Sequence, residues 1–154
     1  MKKPQKLLRD IFGFDEFRLG QREIIDAVSS KKNVLAIMPT GGGKSLCFQL
    51  PALMSEGLTV VISPLIALMR DQVRGLQAAG VAAGALTSGN TEDETDAVFS
   101  QIYAGKLKIL YVAPERLASS AMQSALFRFN VTSLVVDEAP VSYTHLTLPT
   151  NDQV

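Results

Sequence analysis

The fold of this chain is decided by one glycine-rich stretch, which reads Met38-Pro39-Thr40-Gly41-Gly42-Gly43-Lys44-Ser45. Residues 33–38 form an apolar run of strand length, and residues 45–54 have the periodicity of a helix. Successive glycines between a strand and a helix let the backbone curl around an anion, with its amides pointing inward at the positive end of the helix dipole. The stretch therefore predicts a phosphate-binding loop.

Two side chains at the end of this loop supply further chemistry for a nucleotide. Lys44 offers a point charge to the β- and γ-phosphates of ATP, and the hydroxyl of Ser45 is placed to ligate Mg²⁺. The general pattern has glycine where this chain has Met38, but the glycines nearest the lysine do the wrapping. A glycine-rich turn with a chance Lys-Ser pair is the alternative. The residues predicted to bind ATP here are Thr40, Gly41, Gly42, Gly43, Lys44 and Ser45.

Strand-like and helix-like segments alternate along the chain. Apolar runs rich in β-branched residues occupy residues 33–38, 58–63, 82–86, 108–112 and 131–136. Helical periodicity occupies residues 5–11, 21–29, 45–54, 67–79, 91–104 and 119–129. Because the strands are continuously apolar, as strands covered on both faces are, the pattern predicts an α/β fold with a parallel sheet flanked by helices. Ligands of such a sheet bind just beyond the carboxyl ends of its strands.

Two acidic residues, Asp137 and Glu138, directly follow the last predicted strand. Beside a phosphate-binding loop, Asp137 is expected to hold Mg²⁺ through water, and Glu138 to polarise the attacking water as a general base. Acidic residues also simply mark where a strand meets solvent, so this interpretation depends on the upstream loop. The sequence thus predicts Ser45 and Asp137 as metal ligands, and Lys44, Asp137 and Glu138 as catalytic residues.

Composition sets broader limits on the class of protein. A chain of 154 residues, 47% apolar and 19% charged, has the size and balance of one globular domain. The lone cysteine, Cys47, excludes an internal disulfide framework and is expected to face the core. The longest apolar region, residues 58–69, is too short to span a bilayer, so no membrane association is expected. Because 15 basic residues balance 15 acidic ones, charge alone does not indicate nucleic-acid binding.

Five segments, in their order and wording, resemble the motifs of bacterial RecQ DNA helicases. They are residues 13–21, 38–49, 63–72, 111–116 and 137–139, and the resemblance covers about residues 11 to 139. It implies a RecA-like P-loop domain, the first lobe of a superfamily 2 motor. Such a motor couples ATP hydrolysis to 3′-to-5′ movement on single-stranded DNA and acts in repair and recombination. The implied partners of the parent protein are single-stranded and tailed duplex DNA, and the implied location is the bacterial cytosol and nucleoid.

The resemblance also implies how adenine is recognised. Phe14 would stack on the base and Gln21 would read its edge, with Arg18 nearby. Physically, the Gln21 amide can both donate a hydrogen bond to adenine and accept one from it. A solvated helix start is the alternative for Gln21.

Two further segments, residues 63–65 and 114–116, are implied to touch the DNA backbone. Arg70 or Arg116 would meet phosphates there, and an ordinary surface salt bridge is the alternative for both arginines. A translocase must release each phosphate in turn, so a few local contacts suit it better than a strongly basic face.

The resemblance stops after Ala139. The family continues with a histidine and an aromatic-rich loop, whereas this chain has Pro140, followed by a peptide, residues 141–150, that resembles the translation of a transposase-type sequencing adapter. We therefore expect residues 1–139 to be a truncated ATP-binding lobe and residues 140–154 to be a non-native tail. A true divergent tail is the alternative.

Three functions are compatible with these motifs. The first is the ATP-binding lobe of an ATP-dependent DNA helicase, in which the chain alone does not unwind DNA. The second is a nucleotide-binding module without turnover, and the third is a fragment of a DExH RNA helicase. The residue identities in segment 13–21 and in the phosphate-binding loop favour the lobe of a DNA helicase.

Overall fold

The structure, a computed structural model, describes residues 3–38 and 43–137. Its helices and strands are, in chain order, α1 Pro4–Phe12, α2 Gln21–Ser29, α3 Leu46–Met54, β1 Leu58–Ile62, α4 Ile66–Ala78, β2 Ala83–Leu86, α5 Glu92–Tyr103, β3 Ile109–Val112, α6 Pro114–Leu117, α7 Ser120–Arg128 and β4 Val131–Val136. The predicted tail at residues 140–154 and the domain boundary at Ala139 lie outside these ranges. None of the helices in the described ranges combines the length and the apolar character needed to cross a membrane.

The four strands form one parallel sheet in the order β2-β3-β1-β4. Helices cover both of its faces. On one face α3 and α4 pack through side chains such as Phe48 and Met69, and on the other α5 and α7 pack through Ile102 and Met122. This double cover explains the continuously apolar strands. The predicted α/β fold, a parallel sheet flanked by helices, is confirmed.

The first two helices attach to the sheet through α3. Leu8 and Ile25, from α1 and α2, are fully buried against Leu46 and Leu50 of α3. Because α3 packs on the sheet with its other side, it is buried along most of its length. Cys47 lies in this helix and is buried, as predicted. The segment that precedes the sheet in the chain is thereby held beside the start of α3.

The strand predicted at residues 33–38 is not formed. This segment runs outside the sheet, and its apolar side chains Leu35 and Ile37 are 85% and 92% exposed. At the β4 edge of the sheet, Leu134 and Val136 also face outward and are more than half exposed. A strand needs both a pairing partner and cover for its faces, and its own apolar pattern guarantees neither. Among the described residues, nothing covers the outer face of the sheet at its β4 edge. This missing cover accounts for the wrong prediction of a strand at residues 33–38.

Candidate functional site

The carboxyl ends of the strands open onto one edge of the sheet, because all strand pairs are parallel. Ile62, at the end of β1, is in register with Val112 of β3 and with Val136 of β4. The residues that directly follow these three strands are Ser63, Ala113 and Asp137. The segments in which the sequence predicts function are therefore neighbours in space.

The amino end of α3 lies at the same edge. Gln49, in the first turn of α3, donates a hydrogen bond of 2.9 Å to the hydroxyl of Tyr111 near the carboxyl end of β3. Ser45 immediately precedes the helix, and its side chain makes no capping hydrogen bond to the backbone. The first amides of a helix lack partners within it and carry the positive end of the dipole. Lys44 and Ser45, both half-buried, therefore lie at the positive end of the α3 dipole.

The last glycine of the predicted loop, Gly43, is tied to the start of α2. Gln21 donates from its side-chain amide to the carbonyl of Gly43 at 3.1 Å, and its side-chain oxygen accepts from the backbone N–H of Arg18 at 2.7 Å. Gln21 is only 2% exposed, so it is not the solvated helix start of the alternative interpretation. The structure thus brings together three predicted site residues from two distant parts of the chain. Thr40, Gly41, Gly42 and Glu138 lie outside the described residues.

Gly43 has two reasons to be glycine. Its φ of +76° is in the left-handed region, which residues with a Cβ rarely adopt. A Cβ at this position would also overlap the side-chain nitrogen of Gln21. The close approach of loop and helix therefore depends on the missing side chain.

Phe14 lies on the loop that leads from α1 to Arg18 and Gln21. This loop is fastened to α1 by the side chain of Gln5, which donates to the carbonyl of Asp15, and by an ion pair of 3.4 Å between Arg9 and Asp15. The ring of Phe14 is 53% exposed. An exposed aromatic ring on a fastened loop remains accessible for stacking on a planar ligand.

Asp137 is fixed at the sheet edge by its backbone. Its N–H donates to the carbonyl of Ile62 at 2.9 Å, which extends the β1–β4 ladder by one residue. Burial raises the pKa of the Tyr111 hydroxyl well above its ordinary value, the hydrogen bond from Gln49 opposes this shift, and the negative charge of Asp137 adds to it. The hydroxyl therefore stays protonated, and the Asp137 carboxylate acts on the same part of the sheet edge as the start of α3.

The two arginines predicted to meet DNA phosphates lie farther along this edge. The guanidinium of Arg70, on α4, lies against Gly89 in the loop after β2, and that of Arg116 donates to the hydroxyl of Thr95 at 3.4 Å. Within residues 3–38 and 43–137 neither arginine forms an ion pair, so the surface salt bridge of the alternative interpretation is not formed. Arg116 also keeps a buried Nε that has no hydrogen-bond partner in the described ranges.

Two features of this edge were missed in the sequence. Residues 114–116 lie outside the segments with helical periodicity, yet they begin the short helix α6, with Pro114 in its first turn. The loop after β2 was given no role, yet it lines a cleft of about 460 Å³ with Arg116 and α5. Its turn is built by Asn90, whose side-chain oxygen accepts from the N–H and the hydroxyl of Thr87. A Thr-Ser-Gly-Asn run directly after a strand was the available signal.

Comparison with known proteins agrees with this arrangement. The sequence matches the DEAD/DEAH box helicase family over residues 18–144. It is 43% identical to the ATP-dependent DNA helicase RecQ of Haemophilus influenzae over 141 residues, which are 90% of this chain and 23% of that protein. It is 47% identical to the RecQ of Pasteurella multocida over 133 residues, which are 86% of this chain and 21% of that protein. The chain thus spans about a quarter of the length of these relatives.

A solved structure shows a similar fold. The crystal structure of a hypothetical ATP-dependent RNA helicase from Sulfolobus tokodaii superposes with a TM-score of 0.69 at 18% identity, covering 88% of this chain and 41% of the other. Its similarity to this chain is a similarity of fold alone. With the family match and the RecQ relatives, it supports the RecA-like lobe that the motifs implied. The chain belongs to the DEAD/DEAH box helicase family, and its resemblance to the RecQ helicases is confirmed.

Proposed function

We propose that this chain is the ATP-binding lobe of an ATP-dependent DNA helicase of the RecQ type. The observation that carries the proposal is that the amino end of α3 and Asp137 converge on Tyr111 at the carboxyl edge of the parallel sheet. Gln49 of α3 donates a hydrogen bond to the Tyr111 hydroxyl, and the charge of Asp137 acts on the same group. The amino end of α3 also presents Lys44 and Ser45. The relatives that are 43% and 47% identical are ATP-dependent DNA helicases, which supports the proposal that this edge binds ATP.

In this proposal the chain holds ATP and Mg²⁺ through a small set of residues. Lys44 and the amides of Thr40, Gly41, Gly42 and Gly43 bind the phosphates, and Ser45 and Asp137 hold the cation. The fit rests on the Ser45 hydroxyl, which makes no capping bond, and on the backbone hydrogen bond that fixes Asp137. When bound, Mg²⁺ would neutralise charge on the β- and γ-phosphates. Glu138 would take the proton of the attacking water.

The same proposal assigns the neighbouring part of the edge to DNA. Residues 63–65 and α6 flank β1 and β3, and Arg70 and Arg116 stand beside them without carboxylate partners among the described residues. Guanidinium groups that no carboxylate neutralises suit phosphate contacts. The parent protein would act on single-stranded and tailed duplex DNA, in repair and recombination in the bacterial cytoplasm.

Adenine preference is a direct test of the nucleotide site. We expect the chain to bind ATP more tightly than GTP, because the Gln21 amide can donate to and accept from adenine but is mismatched to guanine. To do so it exchanges its hydrogen bond to Gly43 for one to the base, so base recognition and loop position are linked. Changing Gln21 to alanine should remove the preference. Competition between each nucleotide and a fluorescent ATP analogue measures both affinities.

The control for this test is Gln77→Ala. Like Gln21, Gln77 donates a hydrogen bond from its side-chain amide to a backbone carbonyl, in this case that of Ala83 at 2.9 Å. Gln77 lies on α4, away from α2. It should keep the preference for ATP. Equal affinity of the unmutated chain for ATP and GTP would show that Gln21 and Phe14 do not read the base.

Unwinding tests the helicase assignment. We expect the 154-residue chain to bind ATP without separating strands, because unwinding needs two lobes that close on ATP and open on its release. The parent, obtained by sequencing the gene past the codon for Ala139, should displace a strand from a duplex with a 3′ single-stranded tail. In the parent, Glu138→Gln should lower hydrolysis by roughly 10² or more, since a positioned general base contributes about that factor. Strand displacement by the 154-residue chain, or an active Glu138→Gln parent, would contradict these assignments.

A further inference from the structure

Three polar side chains form a closed hydrogen-bonded triangle under the candidate site. The side-chain nitrogen of Gln49 donates to the Tyr111 hydroxyl at 2.9 Å and to the side-chain oxygen of Gln72 at 3.4 Å. The Tyr111 hydroxyl in turn donates to the same oxygen of Gln72 at 2.6 Å. We call Gln49, Gln72 and Tyr111 the polar triangle.

The polar triangle sits where an apolar contact would be expected. Tyr111 is 1% exposed and Gln49 is 7% exposed, and the ring of Tyr111 packs edge-on against Phe48 within the apolar cluster between the sheet, α3 and α4. Polar groups are costly to bury unless they are hydrogen-bonded, and here each finds a partner. Such a network adds directional constraints that apolar side chains, which can slide past one another, do not provide.

Each corner of the triangle belongs to a different part of the candidate site. Gln49 is one helical turn after Ser45, so it follows any movement of the start of α3. Gln72 is on α4, two residues after Arg70. Tyr111 is in β3, which leads into α6, and the negative charge of Asp137 contributes to the raised pKa of its hydroxyl. The triangle thus spans the proposed nucleotide and DNA parts of the edge.

We propose that Gln49, Gln72 and Tyr111 are positioning residues that couple the start of α3 to α4, and so couple nucleotide binding to the placement of Arg70. The proposal rests on the nucleotide site proposed above. Energetic coupling between sites is carried by packed side chains and hydrogen-bond networks, and the polar triangle is such a network between α3 and α4. A nucleotide that draws the start of α3 toward itself moves Gln49. Gln72 follows, because its side-chain oxygen accepts hydrogen bonds from both Gln49 and the Tyr111 hydroxyl.

The test compares the effect of nucleotide on α4 in matched variants of the 154-residue chain. Each protein is titrated with a fluorescent ATP analogue in Mg²⁺, and the backbone amide NMR shifts of α4 are recorded with and without ATP. In the unmutated chain ATP should shift amides around Gln72. Tyr111→Phe should keep the affinity for ATP within about threefold, a difference of under 1 kcal/mol, but lose most of the ATP-dependent shifts in α4.

A purely structural role would not produce this split between affinity and shifts. Tyr111→Phe keeps the ring against Phe48, and Gln49 and Gln72 are already close enough to satisfy each other, so the variant should fold. Gln72→Met is a second variant, since Gln72 is only half-buried, and it should show the same loss of shifts. Gln77→Leu is the control, because it removes another amide of α4 that does not reach α3.

The outcomes separate this inference from the function on which it rests. Unchanged ATP-dependent shifts in α4 of both Tyr111→Phe and Gln72→Met would overturn the coupling alone, as would ATP binding by the unmutated chain without any shift in α4. Equal loss of shifts in Gln77→Leu would show a general effect of weakening α4 and would also overturn it. Failure of the unmutated chain to bind ATP would overturn the proposed function and this inference together.

Discussion

Replacing Lys44 with alanine is expected to weaken ATP binding by about tenfold to a hundredfold. The change removes the side-chain cation predicted to contact the β- and γ-phosphates, and hydrogen bonds to charged groups are worth about 1.5–3 kcal/mol. Since about 1.4 kcal/mol corresponds to a factor of ten in affinity, the loss is easily measured. Titration of both proteins with a fluorescent ATP analogue in Mg²⁺ gives the two dissociation constants.

The matched control for this prediction is Lys106→Ala. Lys106 is exposed in the connection between α5 and β3, so it lies at the amino edge of the sheet, opposite the candidate site. Its removal changes the net charge by the same amount and should leave the affinity unchanged. Equal affinities of Lys44→Ala and the unmutated chain would refute the phosphate-binding loop. Equal weakening in both variants would instead indicate a nonspecific effect of charge.

The elements that could be predicted from sequence are those whose environment is set by short-range patterns. β4 occupies the predicted residues 131–136, and α2 the predicted residues 21–29. Their apolar periodicity reflects faces that the fold does cover. The segment 33–38 has an equally good pattern, but pairing depends on a distant neighbour and on cover from elsewhere in the chain. Periodicity carries no information about either, and this strand prediction failed.

The candidate site divides in the same way. That Asp137 shares one edge with Ser63 and Ala113 follows from the rule that parallel strands present their carboxyl ends together. The position of Ser45 does not follow from this rule, because the strand predicted before it is not formed. The hydrogen bond from Gln21 to Gly43 depends on how α2 packs against α3, which no local pattern encodes. The triangle of Gln49, Gln72 and Tyr111 joins residues far apart in the chain, each of them unremarkable alone. Only the tertiary structure shows that the three polar groups meet.

Gly43→Ala is expected to destabilise the chain by about 2–5 kcal/mol. The left-handed backbone of Gly43 costs a residue with a Cβ about 1–2 kcal/mol. The new Cβ also overlaps the Gln21 nitrogen, so the end of the Gln21 side chain must shift, which disrupts its part-buried hydrogen bond to the Gly43 carbonyl. A buried polar group left without its partner costs about 1–3 kcal/mol more. Urea unfolding, followed by circular dichroism, measures the change in the free energy of unfolding.

Gly13→Ala separates these two contributions. Gly13 has the same φ of +76°, but a Cβ there would meet nothing within 4 Å. It should therefore lose only the backbone part, about 1–2 kcal/mol, and keep its affinity for ATP. Gly43→Ala should lose ATP affinity as well, because the loop can no longer approach α2. If the two variants lose the same unfolding free energy, the contact between Gln21 and Gly43 contributes nothing to stability. If Gly43→Ala still binds ATP normally, the approach of the loop to α2 is not part of the nucleotide site.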